Sequence, residues 1–148
     1  MGRHVLIRLT QEDSVFKVNM PHEMNQTFAH AFNTRDLNNL MALYEDKAVL
    51  RIDAEKTFTG KAVIAIELRK LLLLPGKMLS HNNFCIEHGD IALLRADHSI
   101  VNADGVTIFS GSSAEVVRRQ PDGSWLYIID HAMGATLPRV DAKMEGQP

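Results

Sequence analysis

The stretch that most constrains the fold runs from Val106 to Gly134 and contains two β-rich segments joined by a tight turn. The turn is Pro121-Asp122-Gly123, in which proline presets φ near about −65° and glycine tolerates positive φ. Valine, isoleucine, tryptophan and tyrosine crowd both arms, as a half-buried pleated surface prefers. A second hairpin precedes it, from Asp90 to Ser112, with a turn near Ala103-Asp104-Gly105. Two consecutive hairpins predict a four-stranded antiparallel meander.

The N-terminal half predicts helices. Pro21 suits the first turn of a helix, and Met24, Phe28 and Phe32 recur every four residues as an apolar stripe. Asp36 is placed to cap a second, short helix. The buried stripe of that helix is predicted to be Leu37, Leu40, Met41 and Tyr44.

The middle of the chain predicts a strand at residues 48–53 and a third helix at 61–74, which Pro75-Gly76 would end. Residues 81–88 predict a further strand before the hairpins. Helices early and a meander late indicate an α+β domain, with three N-terminal helices packed on a strongly curved, mostly antiparallel sheet. We expect one domain over 20–135, an N-terminal extension over 1–19 and a C-terminal tail over 136–148.

Composition excludes several classes of protein. The chain has 148 residues, 45% hydrophobic and 23% charged, with a net charge of −2, so we expect no nucleic-acid or membrane partner. The longest purely apolar run, Leu71 to Leu74, is too short to span a bilayer. A single cysteine, Cys85, indicates a reducing, cytoplasmic compartment. No histidine pair has the i, i+4 spacing or the cysteine partner that would suggest zinc, so we expect no metal.

Ionisable residues interrupt apolar strands at Arg95-Ala96-Asp97-His98 and at Asp130-His131. If Asp130 faces the helices, strict alternation places Leu126, Ile128 and Ala132 with it. A two-residue turn at Asp122-Gly123 would set Glu115 opposite Asp130, with Ser113 and Val117 on the same face. The turn near Ala103-Asp104-Gly105 would then bring Arg95, Asp97 and Ser99 onto that face too. Buried charges are costly unless they are paired or titrated, so their clustering predicts a site.

Two alternatives stay open. Arg95 and Asp97 could form an ordinary salt bridge at the cone mouth. A one-residue register slip would instead bury His98 and His131 in place of Asp97 and Asp130. In the favoured register the opposite, convex face is also apolar, which predicts a homodimer through that face. Its predicted residues are Ala92, Leu94, Ala96, Ile100, Trp125, Tyr127 and Ile129.

Three stretches carry a family resemblance: FAHAFNTRDLNNLMALYEDKAVL, FTGKAVIAIEL and RRQPDGSWLYIIDHAMG. They resemble the SnoaL-like and ketosteroid isomerase-like cone-shaped domains of the nuclear transport factor superfamily. The resemblance spans about Thr27 to Gly134. It implies a pocket for a hydrophobic small molecule, sheet-to-sheet homodimers, and either a cofactor-free isomerase, cyclase, dehydratase or hydrolase or a non-catalytic association domain.

Within this superfamily, the limonene epoxide hydrolase type uses Arg-x-Asp on one strand and Asp on the last, which resembles Arg95-Ala96-Asp97 and Asp130. The resemblance implies Asp130 as base, Asp97 as acid and Arg95 orienting both. The ketosteroid isomerase comparison places its helix tyrosine on Phe28 and its base on Ile52. Its second acid falls on Glu115.

The sequence therefore leaves three hypotheses. The first is a cofactor-independent enzyme that performs proton transfer, cyclisation or hydration on a hydrophobic substrate. Its catalytic residues would be Asp130, Asp97 and Arg95, and its ligand contacts Glu115, Ser113, Ile128, Phe28, Ile52 and Ser99. The second is a non-catalytic ligand-binding or association module, and the third a dimerisation domain whose cone is filled by side chains.

Overall fold

A computed structural model describes residues 16–136. Most of the predicted extension, residues 1–15, and residues 137–148 of the predicted tail lie outside the described part. The described residues form an α+β domain in which N-terminal helices pack on a curved, mostly antiparallel sheet, as the sequence predicts.

The helices begin where the sequence signals place them. A 3-10 turn, Pro21–Glu23, leads into α1 (Met24–Asn33), which buries Met24 and Phe32 completely. The carboxylate of Asp36 accepts a hydrogen bond of 2.9 Å from the amide of Asn38 and so caps α2 (Leu37–Met41). The third helix, α3 (Lys61–Leu71), ends three residues before its predicted end at Leu74.

Seven strands form one sheet in the order β2-β1-β7-β6-β4-β3, with β5 also paired to β4. Their bounds are Tyr44–Arg51 (β1), Thr57–Thr59 (β2), Lys77–His88 (β3), Ile91–Val101 (β4), Thr107–Ser112 (β5), Ala114–Arg119 (β6) and Trp125–His131 (β7). The β1 strand runs parallel to β7, and the other pairs are antiparallel. Tyr44, predicted on the second helix, instead begins β1, and β2 was not predicted.

Two β-bulges set which side chains face the helices. Beside its turn β4 pairs Val101 with Thr107, but the next pair is Ile100 with Phe109, so β5 carries one extra residue. An extra residue shifts the register by one and therefore swaps the faces of the strand beyond it. A second bulge lies between β6 and β7, where Ile128 is the extra residue.

The first bulge overturns the predicted face of β4. Without the extra residue, Arg95 would lie opposite Ser113 and share its face. With the extra residue, Leu94 pairs with Glu115, and Arg95 lies on the other face of the strand. Four residues that we predicted on the convex face are consequently buried beneath the helices, with at most 1% exposure: Ala92, Leu94, Ala96 and Ile100. Arg95, Asp97 and Ser99 point to the convex side, so their predicted concave position is wrong.

The second bulge has the same effect near the end of the chain. Trp125 and Tyr127, predicted on the convex face, are 3% and 1% exposed in the core. Ile129 is 45% exposed and lies on the convex face, as predicted. Among residues 16–136 no helix combines the length and apolarity needed to cross a bilayer.

Candidate functional site

The helices and the concave face enclose a cavity of about 90 Å³. Its walls are mainly apolar, with Phe28 from α1, Leu68 from α3 and Leu50 from β1 among the side chains that line it. Polar groups reach it from β6, β7 and α1. A cavity beside polar groups favours the first two hypotheses over the third, a cone filled by side chains.

Glu115 and Asp130 are the chemical centre of this cavity. They form a direct cross-strand pair, as the sequence predicts, and their residues are 3% and 7% exposed. Ser113 lies on the same face and is 3% exposed. Side chains of directly opposite residues stand about 5 Å apart at Cβ, so the two carboxyl groups are neighbours.

Each carboxyl has its own hydrogen-bond partner. The phenol of Tyr44 donates to Asp130 Oδ2 over 2.5 Å, and Asn25 Nδ2 donates to Glu115 Oε1 over 3.0 Å. Asn25 is held in turn, because Tyr127 Oη donates to its Oδ1 over 2.6 Å and its amide also donates to Asn82 Oδ1. Every side chain of this network that lies in the core thus has a partner.

The surroundings move the two carboxyl pKa values apart. Burial, and then the charge of Asp130, raises the pKa of Glu115 from 4.5 to about 8. Burial raises the pKa of Asp130 from 3.8 to about 6, against the opposing hydrogen bond from Tyr44. Near neutral pH the pair therefore holds one proton and one negative charge between its two carboxyl groups.

Both phenols stay protonated beside this pair. Burial, and then the charge of Asp130, raises the pKa of Tyr44 and of Tyr127 well above 10.0. They act as hydrogen-bond donors throughout the accessible pH range. A buried acid, a buried base and fixed donors in one apolar cavity can transfer protons to and from a bound molecule.

The predicted site residues separate into two groups. Five lie around the cavity: Asp130, Glu115, Ser113, Phe28 and Ile52. Four do not: Arg95, Asp97, Ser99 and Ile128. The bulges displaced all four, because each lies beyond or at the extra residue.

Arg95 and Asp97 form a salt bridge on the convex surface, with 3.6 Å between Arg95 Nη1 and Asp97 Oδ1. The Ser112 hydroxyl donates to Asp97 over 2.6 Å, and the Asn83 amide donates to it over 3.1 Å. The hydrogen bonds from Ser112 and Asn83 lower the pKa of Asp97, whose side chain is 57% exposed. This is the simple ion-pair alternative, away from the cavity.

The histidine alternative is half right. His98 lines the cavity, stacks on Phe109 with ring centroids 5.6 Å apart, and hydrogen-bonds to the carbonyl oxygen of Ala132 over 2.7 Å. His131 lies on the other face of β7, opposite Arg51 of β1. Burial lowers its pKa.

Sequence reasoning missed Asn25, Glu67 and Tyr127 on the cavity wall, and it missed Tyr44, which donates to Asp130 behind it. Asn25 gave no usable signal, because a polar residue one position from Met24 is ordinary in an amphipathic helix. Tyr44 gave none, since its pattern fits a helix. In the described part of the chain no group of three or more histidine, cysteine, aspartate or glutamate side chains is arranged to hold a metal ion.

Sequence comparison identifies no relative: no protein-family model matches the chain, and no curated protein sequence matches it. Solved structures do match. A Thiobacillus denitrificans protein, provisionally called a calcium/calmodulin-dependent protein kinase type II association domain, superposes with a TM-score of 0.67 at 20% identity, covering 78% of this chain and 94% of its own.

Two further structures are similar. A cystatin-like domain of unknown function from Nostoc punctiforme has a TM-score of 0.66 at 11% identity, covering 84% of this chain and 79% of its own. A protein from Streptomyces avermitilis, provisionally called a dehydratase of the NTF2-like family, has a TM-score of 0.59 at 16% identity, covering 72% and 87%. These likenesses agree with the helix order and the curved sheet described above. The chain therefore has the α+β cone fold of the NTF2-like, cystatin-like proteins.

Proposed function

We propose that the protein is a cofactor-independent acid–base enzyme acting on a small, mainly apolar molecule that carries an oxygen function. The observation that carries the proposal is the buried Glu115–Asp130 pair on the cavity wall. Asp130 is the general base, and Glu115 is the general acid in place of the predicted Asp97. Tyr44 holds Asp130 as the anion.

The reaction class is proton transfer, including isomerisation, cyclisation and hydration or dehydration. In each of these a base removes a proton from carbon or water while an acid protonates or hydrogen-bonds an oxygen. A base works best when its pKa lies near the working pH, and an acid must still hold its proton there. The values of about 6 for Asp130 and about 8 for Glu115 satisfy both requirements.

Carboxyl-carbon NMR across the pH range tests this assignment. The wild type should show two coupled titrations, both above ordinary carboxyl values, and Asp130→Asn should leave Glu115 with a single, lower pKa. Asp97→Asn is the matched control, because Asp97 is exposed on the convex face, and it should leave the coupled titrations unchanged. Two independent titrations near 4 would contradict acid–base catalysis and favour a binding module.

A second candidate function is association, and a specific surface favours it. An apolar row crosses the convex face through paired residues of five strands, Ile86, Leu93, Val116, Ile129 and Val49. Ile86, Leu93 and Ile129 are 58%, 44% and 45% exposed. A row of this length on one surface is typical of an interface, and we propose that a second copy of the chain covers it.

Light scattering tests the homodimer. Leu93→Lys would place a charge in the middle of the row and should yield monomers. Ile66→Lys is the control, because Ile66 is 52% exposed on α3, away from the sheet. A monomeric wild type, or a dimer unaffected by Leu93→Lys, would contradict the interface.

The cytoplasmic location stays a prediction.

A further inference from the structure

The cavity is too small for most organic ligands, and its size limits the chemistry that the acid pair can perform. Its volume of about 90 Å³ compares with the roughly 150 Å³ of an engineered apolar cavity that binds one benzene ring. Scaled from the six carbon atoms of benzene, 90 Å³ holds about four non-hydrogen atoms. We infer that the substrate is a three-carbon aldehyde or ketone, and that the Glu115–Asp130 pair catalyses its enolisation.

The inference rests on the proposed function, because it concerns the same cavity, and the volume narrows the reaction class. Hydration and dehydration need room for an organic molecule and for a water molecule, whose share of liquid volume is about 30 Å³. That leaves about 60 of the 90 Å³, which is room for about two non-hydrogen atoms by the same scaling. Cyclisation needs a chain long enough to close a ring. Enolisation needs one molecule only, and a three-carbon carbonyl compound has the number of atoms that fits.

Each carboxyl group keeps one oxygen for the ligand. Tyr44 donates to Oδ2 of Asp130, and Asn25 donates to Oε1 of Glu115, which leaves Oδ1 and Oε2. In the part of the chain that the structure describes, the only buried side-chain nitrogen or oxygen atom without a hydrogen-bond partner is Nδ1 of His131. Oδ1 and Oε2 are therefore not sealed in the core without a partner, and both residues line the cavity. Because the amide of Asn25 occupies Oε1, the acidic proton of Glu115 belongs on Oε2.

The two oxygens perform the two halves of enolisation. Oδ1 of Asp130 removes a proton from the carbon next to the carbonyl group, and the electron pair of that C–H bond becomes the C=C bond of the enol. The π electron pair of the carbonyl group moves to its oxygen, which takes the proton of Glu115 Oε2. Carboxyl groups about 5 Å apart at Cβ can contact the two ends of one H–C–C=O unit. Phe28, Leu50 and Leu68 supply the apolar wall for the remaining carbon.

Exchange of carbon-bound hydrogen for deuterium in D₂O, followed by NMR, tests the inference on the full chain. Acetone should lose its methyl hydrogens at least about 100-fold faster with the wild type than with Asp130→Asn, which lacks the base. Cyclohexanone, whose ring has as many carbon atoms as benzene, should exchange at the same rate with both proteins because it does not fit. Glu87→Gln, on the exposed end of β3, is the control and should exchange acetone like the wild type.

Enlarging the cavity tests the size limit separately. Phe28→Ala removes an aromatic ring from the wall and should allow the pair to exchange cyclohexanone. Ile52→Ala shortens a partly buried side chain of the same wall and makes the same test if Phe28→Ala does not fold.

Equal acetone exchange by the wild type and Asp130→Asn would overturn the inference. So would the failure of both enlarged variants to exchange cyclohexanone. Exchange of cyclohexanone by the wild type would overturn the three-carbon class and leave acid–base catalysis in place. The carboxyl titration reports the acid pair independently, since it is made without a ketone. A coupled titration without acetone exchange would contradict the substrate class alone, and two independent titrations would contradict the proposed function itself.

Discussion

Glu115 of β6 and Asp130 of β7 lie directly opposite each other on the buried face of the sheet, with 3% and 7% of each residue exposed. Two carboxyl groups so close in a medium of low dielectric constant cannot both ionise easily. The two carboxyl groups have different hydrogen-bond donors, because Asp130 accepts from a phenol and Glu115 accepts from an amide. The pKa values of the two carboxyl groups therefore show whether the buried pair and its hydrogen bonds are intact.

The first prediction concerns stability and pH. The folded-state pKa values, about 8 for Glu115 and about 6 for Asp130, lie above the ordinary values of 4.5 and 3.8. The folded state therefore binds more protons than the unfolded state at every pH between the ordinary pKa values and the raised ones. The contribution of the pair to stability is complete below about pH 4 and is lost as the pH rises through 6 and then 8.

Glu115→Gln, which mimics the neutral acid, should flatten this decline between about pH 5 and 8. The measurement is the free energy of unfolding from urea denaturation at several pH values. Glu87→Gln should keep the wild-type decline. Groups whose folded-state pKa is lowered, such as Glu45 beside Arg118, reduce the stability of all three proteins equally on acidification. The same slope in wild type and Glu115→Gln would argue against the buried pair.

The second prediction concerns Tyr44. Its hydrogen bond lowers the pKa of Asp130, so Tyr44→Phe should raise that pKa further and cost about 1.5–3 kcal/mol of stability near pH 8, where Asp130 is ionised. Carboxyl-carbon NMR and urea denaturation measure the two effects. Tyr127→Phe is the matched control, since Tyr127 donates to Asn25 and should leave the Asp130 titration almost unmoved. Equal shifts in both variants would mean that the phenol bond is not what stabilises the anion.

The third prediction concerns Asn25, which joins Tyr127, Glu115 and Asn82. Asn25→Ala leaves buried partners unsatisfied and should destabilise the fold by about 2–4 kcal/mol. The double variant Asn25→Ala/Tyr127→Phe should lose less than the sum of the two single losses, because both changes break the same bond. Strict additivity in denaturation experiments would show that the bond contributes nothing.

The fourth prediction concerns the β6–β7 turn. Gly123 has φ of 89° and nothing within 4 Å of the position of an added Cβ, so a side chain there meets strain but no clash. Gly123→Val should cost about 1–3 kcal/mol, and Gly123→Asn should cost clearly less, because asparagine tolerates positive φ. Thermal or urea unfolding measures both losses. Equal stability of the valine variant and the wild type would rule out the strain.

Features fixed by neighbouring residues were predictable from the sequence. Pro21 begins the helical segment, the Asp36 carboxylate caps α2, and Gly123 adopts positive φ in its turn. Each depends on a few consecutive residues and on steric or hydrogen-bonding rules that hold in any fold. The α+β order of the elements follows from the same local signals, and the fold is confirmed.

The Glu115–Asp130 pair was also predictable, although for a partly wrong reason. A two-residue turn at Asp122-Gly123 was expected to set this register. Instead Gln120 and Ser124 bond across a three-residue turn, and the bulge at Ile128 restores the register before Asp130. The longer turn shifts the register by one residue, and the bulge shifts it back by one residue, so the two changes cancel.

Only the tertiary structure decided which faces of β4 and β7 the helices cover. Strand alternation has a period of two, so the single extra residue of β5 moved Asp97 to the convex surface and turned His98 toward the cavity. The second extra residue buried Tyr127 and left Ile128 out of the cavity. A bulge forms where the sheet must bend to wrap around the helices, and that bend is a property of the packed domain. No local pattern near Ile108 or Ile128 encodes it, because both residues are ordinary strand formers.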